Sequence, residues 1–338
     1  MAQAATNDTL IPCGYDGGNG NTKLVLPDTK TLIPSYFLPT NGEPHALPEI
    51  DGGAFVEYVS GAEKSLFGQT WFVGEWAAEM SPNGFIQVNA SRGGKVANGL
   101  EMFLGAIACS NPPSQLSLGV AASIQDAETL GGKLSERLEG THRIRVNKER
   151  LVSVKVSVLN VLNEGVGTCF DLRVKGRTQK GQKIALIDVG NGTTIASLVS
   201  GSKVVDYTAL NVGVSDLIDR IARHRDIRAQ LLQEGNPRLI RRGIERKSFF
   251  YGTTGYNFSR VYEEEVRPWL SESLSRAVKA LDRWDDDIAH RFAVGGGSAL
   301  PGVEKLLNKR NIASVGNPIW SNALGLYGVA EMKVREVQ

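Results

Sequence analysis

Cysteine is scarce: Cys13, Cys109 and Cys169 are the only three in 338 residues, too few and too widely spaced for a disulfide framework or a Cys-x-x-Cys metal knuckle. That usage fits a reducing compartment, and the expected location is the cytoplasm. Histidine is scarce too, with four in the chain and none inside the motifs below, so imidazole chemistry is not indicated. No run of about 18 apolar residues occurs, so no membrane-crossing helix is expected. Residues 1–10 are polar and lack both a signal-peptide core and the pattern of a basic amphipathic anchor. A strong charge of one sign is also missing: 38 Lys and Arg against 36 Asp and Glu leave +2, which neither demands nor excludes a nucleic-acid partner. What remains, 41% apolar and 22% charged, describes an ordinary globular chain whose length suits two domains.

Against these absences, one phrase is written twice. Asp16-Gly17-Gly18-Asn19-Gly20-Asn21-Thr22 returns 172 residues later as Asp188-Val189-Gly190-Asn191-Gly192-Thr193-Thr194, sharing the pattern D-x-G-N-G-x-T. Each copy follows an apolar strand-forming run. Glycines let backbone amides approach a phosphate without obstruction by Cβ atoms. A carboxylate at the strand end can hold Mg²⁺, usually through water. Thr22, Lys23, Thr193 and Thr194 offer further hydroxyl and ammonium contacts to phosphate oxygens. One such turn is an ordinary hairpin signal. Two aligned copies predict two related half-domains gripping one polyphosphate.

A third element is Phe292-Ala293-Val294-Gly295-Gly296-Gly297-Ser298-Ala299-Leu300-Pro301-Gly302. An apolar strand meets three glycines and a helix start, a shape that can lie flat against a nucleotide. Elsewhere the pattern predicts a strand pair over 11–26 and a small β-containing insertion with mobile loops within about 31–95. It further predicts a buried helix over 99–109, strands at 116–121 and 152–162, and helices at 214–221, 264–284 and 322–334. The alternation of sheet and helix in two halves is α/β.

These three motifs, in this order, resemble the actin/Hsp70/sugar-kinase superfamily of ATPases, and within it the ParM-like (StbA-like) bacterial actins. The resemblance covers essentially the whole chain. It implies an actin-like fold of two related α/β domains with a nucleotide cleft between them. Residues 1–163 and a closing helix at 318–338 would form domain I, and residues 164–317 domain II. Asp16 through Lys23 would be the first phosphate loop, Asp188 through Thr194 the second, and Gly295-Gly296-Gly297-Ser298-Ala299 the adenosine loop. ATP or ADP with Mg²⁺ would bind there, with Asp16 and Asp188 flanking the metal. Asn211-Val212-Gly213-Val214 is similar to the family's glycine entry into a helix.

The connecting segment Asn163-Glu164-Gly165 ends a strand with a carboxylate. In ParM-like proteins it reads Pro-Glu, and the Glu positions the attacking water. Asn163 stands here in place of that proline. Glu164 and Asp188 are therefore the expected catalytic pair, while the plainer reading has Glu164 capping the next helix. Asn98, Ser123 and Asp126 are read as structural. The arginine-rich stretch 220–247 reads as a solvated, internally paired helix face rather than a DNA-binding surface.

The resemblance implies head-to-tail polymerisation with ATP, disassembly after hydrolysis, and plasmid DNA segregation through a ParR-like DNA-binding adaptor. Direct nucleic-acid or membrane contact is not expected. A chromosomal cell-shape filament is compatible with the same sequence. The main rival is a small-molecule, sugar-type kinase, against which no extra sugar-loop Asp stands out. A chaperone-like module would need a peptide-binding domain for which the chain leaves no room.

Overall fold

Each copy of the repeated phrase links the first two strands of a different sheet, because a turn of glycine and asparagine sends an apolar strand straight back on itself. The computed structural model describes residues 9–88, 93–201 and 203–337. Most of the polar N-terminal stretch, residues 89–92 of the expected insertion, and Gln338 of the closing helix lie outside the described residues. The contacts divide the chain into two units: the described residues through Val174 together with those from Asn322 onward, and Lys175–Ser321.

In the first unit the strands are β1 (Ile11–Gly17), β2 (Asn21–Val25), β3 (Lys30–Pro34), β4 (Tyr36–Thr40), β5 (Gly53–Gly61), β6 (Thr70–Gly74), β7 (Ile86–Gln87), β8 (Gln115–Ile124), β9 (Gly140–Val146) and β10 (Arg150–Asn163). They form a ten-stranded sheet in the order β3-β2-β1-β8-β10-β9-β5-β6-β4-β7. The region expected as an insertion thus supplies strands continuous with this sheet, since β5 pairs antiparallel with β9. Its apolar residues Phe55, Trp71 and Phe72 are buried, as a sheet-forming stretch requires. β8 runs parallel to both β1 and β10 and is apolar on both faces, the signature of a strand covered on two sides.

Helices α1 (Glu75–Met80), α2 (Gly94–Ala97), α3 (Gly99–Cys109), α4 (Ala127–Leu138) and α5 (Val166–Val174) accompany the sheet. α3 is buried along nearly its whole length, and the Tyr15 hydroxyl donates to its Gly99 carbonyl at 3.1 Å. Gly14, the next residue back on β1, faces the opposite side. There the C-terminal helix Ser321–Val337 comes so close that a Cβ on Gly14 would collide with the Ala323 carbonyl and lie 2.5 Å from the Tyr327 nitrogen.

In the second unit, β11 (Lys183–Val189), β12 (Thr194–Ser200), β13 (Lys203–Leu210), β14 (Ile288–Val294) and β15 (Ala313–Ser314) stand in the order β13-β12-β11-β14-β15. Helices α6 (Val214–Arg223), α7 (Arg225–Leu231), α8 (Pro237–Glu245), α9 (Ser259–Leu281) and α10 (Val303–Asn308) complete it. The stripe that predicts a helix over 264–284 belongs to α9, whose Val266, Leu270, Leu274, Ala277 and Leu281 enter the core. Among the described residues no helix is long and apolar enough to cross a membrane.

Candidate functional site

The two repeated turns have the same local geometry, one in each unit. In the first, Asp16 pairs with Lys23 and Gly17 with Thr22 across β1 and β2. The Gly18 amide donates to the Asn21 carbonyl at 3.1 Å. In the second, Val189 pairs with Thr194, and the Gly190 amide donates to the Thr193 carbonyl at 2.8 Å. A Cβ on Gly18 would lie 2.8 Å from the Asn21 oxygen, and one on Gly190 would lie 2.9 Å from the Thr193 oxygen. Glycine is required at both positions for the same steric reason.

The closing threonines are equivalent as well. Thr22 and Thr194 are both fully buried. Thr22 shares a 2.9 Å hydrogen bond with Ser35, and Thr194 donates to the Val212 carbonyl at 2.7 Å. These hydroxyls brace the turns from inside their units rather than standing at the turn surface. The asparagines at the tips are held from outside. Gln87 donates to the Asn19 side chain at 2.7 Å, and Arg241 of α8 donates to the Asn191 side chain at 2.5 Å. Gly20 accepts from the Ser35 amide at 3.1 Å, while Gly192 and Thr193 remain half-exposed on the second turn.

In the first unit, Asp16, Ser123 and Glu164 come together at the carboxyl ends of three adjacent parallel strands. Asp16 lies opposite Ser123 on β8, Ile124 lies opposite Asn163 on β10, and Glu164 follows at once. The carboxyl ends of parallel strands are where ligands enter α/β sheets. Asp16 is buried, accepts from Lys23 Nζ at 2.9 Å, and accepts from the Ser123 hydroxyl at 3.2 Å. Asn322, from the C-terminal helix, donates to that hydroxyl at 3.0 Å. Burial alone raises the Asp16 carboxyl, but the Lys23 and Lys95 ammoniums outweigh it and hold the pKa at about 2.

Glu164 is anchored through its amide, which donates to the Ile124 carbonyl at 3.1 Å. Its carboxylate forms an ion pair with Lys95 of α2, whose Nζ also lies 3.5 Å from the Ser123 carbonyl. The side chain is thus turned to Lys95. Asn163 accepts from the Ala127 amide at 2.9 Å and so ties the end of β10 to the start of α4.

In the second unit, Asp188 packs directly against Gly295 at the adjacent end of β14. A Cβ on Gly295 would strike its carboxylate and lie 2.7 Å from the Val189 carbonyl. Gly295 has φ +83°, a conformation that side chains resist. Gly297 abuts Val189, and Ser298 is buried with its hydroxyl donating to the Gly295 carbonyl at 2.8 Å. Gly296 differs: a Cβ there would meet nothing within 4 Å. It is the open face of the loop. The start of α6 also docks on the second turn, through Val214 to the Gly190 carbonyl at 3.0 Å and Ser215 to the Asn191 carbonyl at 2.8 Å.

Three participants escape the sequence reading. Lys95 is missed outright, Ser123 is read as structural, and Asn322 is read only as the start of a helix. Asp126 does cap α4, accepting from the Thr129 amide at 3.1 Å. Several arginines of 220–247 pair with acids, Arg220 with Glu272 at 2.5 Å and Arg223 with Glu234 at 3.7 Å, as a paired helix face would. Among the described residues, no three His, Cys, Asp or Glu cluster as a metal-ligating set. Asp16 and Asp188 each offer a carboxylate, the class of oxygen ligand that a magnesium ion would take.

Residues 14–167 match the family described as the actin like proteins N terminal domain. No curated protein matches the sequence. Solved structures do match across nearly the whole chain. The apo psk41 ParM protein is 18% identical with a TM-score of 0.66, covering 97% of this chain and 99% of its own. An archaeal actin homologue in complex with ADP is 19% identical with a TM-score of 0.72, covering 96% of this chain and 100% of its own. A ParM filament protein from Clostridium botulinum, described as 15-stranded, is 15% identical with a TM-score of 0.69, covering 96% of this chain and 99% of its own. The chain therefore carries an actin-like N-terminal domain over residues 14–167 and has, along its length, the fold shared by ParM proteins and archaeal actin homologues.

Proposed function

We propose that this chain is a nucleotide-dependent, polymerising ATPase. The observation that carries the reading is the matched pair of turns, in which Gly18 and Gly190 make the same bond and Thr22 and Thr194 take the same buried place. Both turns then serve the phosphates of one nucleotide, with Asp16 and Asp188 toward the metal and Lys23 toward the phosphates. Asn191, Gly192 and Thr193 supply backbone and hydroxyl donors and Asn19, Gly20 and Asn21 supply amide donors, while Gly17, Gly18 and Gly190, the latter two with their amides spent inside the turns, let the phosphates approach bare backbone. The loop of Gly295, Gly296, Gly297 and Ser298 holds the nucleoside, with Gly296 presenting bare backbone to it. Mg²⁺, when bound, neutralises phosphate charge. The ADP complex of the archaeal homologue supports a nucleotide as ligand.

Phosphoryl transfer needs positioning and charge neutralisation more than covalent help from the protein. In the reaction proposed here, the oxygen of a water bonds to the terminal phosphorus. The bond from that phosphorus to the bridging oxygen breaks, its electron pair leaving on ADP. Glu164 orients the water and takes its proton. Glu164→Ala should leave Mg-ATP affinity near wild type while phosphate release falls by about 10²-fold or more, within the range that a positioned base contributes. Unchanged turnover would remove Glu164 from the reaction.

The 15-stranded filament formed by a similar protein supports head-to-tail self-association, a heterologous contact that does not close on itself. ATP would favour assembly and hydrolysis would loosen it. By the same likeness, the cargo is plasmid DNA held through a ParR-like DNA-binding adaptor rather than by this chain directly.

A further inference from the structure

We infer that Lys95 is a positioning residue for the hydrolysis, acting through Glu164 by fixing where its carboxylate points. The inference rests on the hydrolytic reading of Glu164. The Glu164 backbone is pinned by its bond to the Ile124 carbonyl, and Gly165 follows at φ +85°. That leaves the side chain, whose torsions sample several rotamers unless a partner selects one. Lys95 supplies the partner. Its side chain is 11% exposed against 27% for that of Glu164, so the ammonium is the more enclosed half of the pair.

Lys95 is itself held in place. It belongs to the single turn of α2, and its Nζ reaches the Ser123 carbonyl at 3.5 Å as well as the Glu164 carboxylate. Ser123 is the residue whose hydroxyl bonds Asp16. One cation therefore links the ends of β8 and β10 and ties the proposed water-orienting carboxylate to the strand end beside Asp16. Asp16 feels the same charge, which helps hold its carboxyl low. Two cations, Lys23 and Lys95, then balance two carboxylates, Asp16 and Glu164, within one unit. A water oriented by Glu164 is only as well placed as the carboxylate, and a misplacement of about 1 Å can cost on the order of 10²-fold in rate.

The test is a double-mutant cycle in the full chain, with Mg-ATP as substrate. Lys95→Met should lower kcat by roughly 10- to 100-fold, the scale of a lost near-attack geometry, while the Kd for Mg-ATP moves far less. Lys95→Arg, which keeps the charge and reach, should recover most of the turnover. In a Glu164→Gln background, Lys95→Met should add little further loss, because the two residues act as one unit. Wild-type kcat in Lys95→Met, multiplicative losses in the double variant, or a Lys95→Arg protein as slow as Lys95→Met would each overturn the inference. Absence of hydrolysis in the wild-type protein would remove the reading on which it rests, whereas hydrolysis left intact by Lys95→Met removes this inference alone.

Discussion

An alanine scan of the three consecutive glycines separates folding from function, since their surroundings differ so sharply. At Gly295 a methyl group would meet Asp188 and the Val189 backbone, at φ +83°. At φ +83° and ψ 167°, a region occupied almost only by glycine, an L-residue costs about 1–3 kcal/mol, and forced overpacking adds about 1–3 kcal/mol. At Gly297 the methyl would sit 2.9 Å from the Val189 carbonyl and Cβ and closer still to its Cγ1, for about 1–3 kcal/mol of overpacking alone. At Gly296 the methyl meets nothing within 4 Å, so stability should stay within about 0.5 kcal/mol of wild type. Yet Gly296 is the position proposed to face the nucleoside. A methyl wedged against the ligand at a similar overpacking cost of about 1–3 kcal/mol weakens binding by roughly 5- to 150-fold. Urea unfolding of the three variants, paired with isothermal titration of Mg-ATP, reads both quantities. Gly295→Ala and Gly297→Ala with wild-type stability would refute the packing argument. A stable Gly296→Ala protein with wild-type affinity would refute the nucleoside assignment.

Three further outcomes follow from the same geometry. Asp16, with its folded pKa lowered from 3.8 to about 2, stabilises the fold by about 2 kcal/mol above pH 4, and that contribution fades as pH falls from about 4 toward 2. Acid unfolding of Asp16→Asn should accordingly lose part of its pH dependence in that window, and an unaltered acid limb would contradict it. Thr22→Val and Thr194→Val should each cost about 0.5–1.5 kcal/mol, the scale of one lost hydrogen bond, since the buried Ser35 hydroxyl keeps its bond to the Gly18 carbonyl and the Val212 carbonyl is half-buried. Equal losses in denaturant unfolding would confirm the equivalence of the turns, and a neutral result at either would break it. His142 is buried against Tyr58 and the Leu138 carbonyl, and burial lowers its pKa. The unfolded chain therefore binds the proton more readily, and this part of the stability declines as pH drops below about 6.5. His142→Gln should flatten thermal stability between about pH 5 and 7; an unchanged slope would sink the assignment.

What the sequence discloses and what it hides follows the reach of the interactions. The two repeated turns are legible as turns because their hydrogen bonding is local: Gly18 bonds Asn21 and Gly190 bonds Thr193, each within three residues. The buried stripe of α9 is legible through its period for the same reason. The ten-stranded sheet is not, because β5 and β9 stand far apart in the chain, so the β-containing stretch around β5 does not announce in sequence which strand it pairs with. Lys95 escapes notice because its partner Glu164 is 69 residues away, and nothing beside Lys95 distinguishes it from any surface lysine. Ser123 meets Asp16 at a separation of 107 residues, and Asn322 meets Ser123 at 199. Such residues meet only when the fold brings the ends of β1, β8 and β10 together with α2 and the C-terminal helix. Thr22 and Thr194 show the converse: the motif marks them correctly as special, but burial turns their hydroxyls inward.

The central proposal is that nucleotide binding by the paired turns drives self-assembly. Sedimentation of the purified chain with Mg-ATP, Mg-ADP and no nucleotide, over a range of protein and salt concentrations, tests it most directly. The paired turns predict that protein pellets with ATP, releases phosphate over time, and returns to the supernatant as ADP accumulates. A protein that stays in the supernatant under every one of these conditions, while still binding ATP, would contradict it.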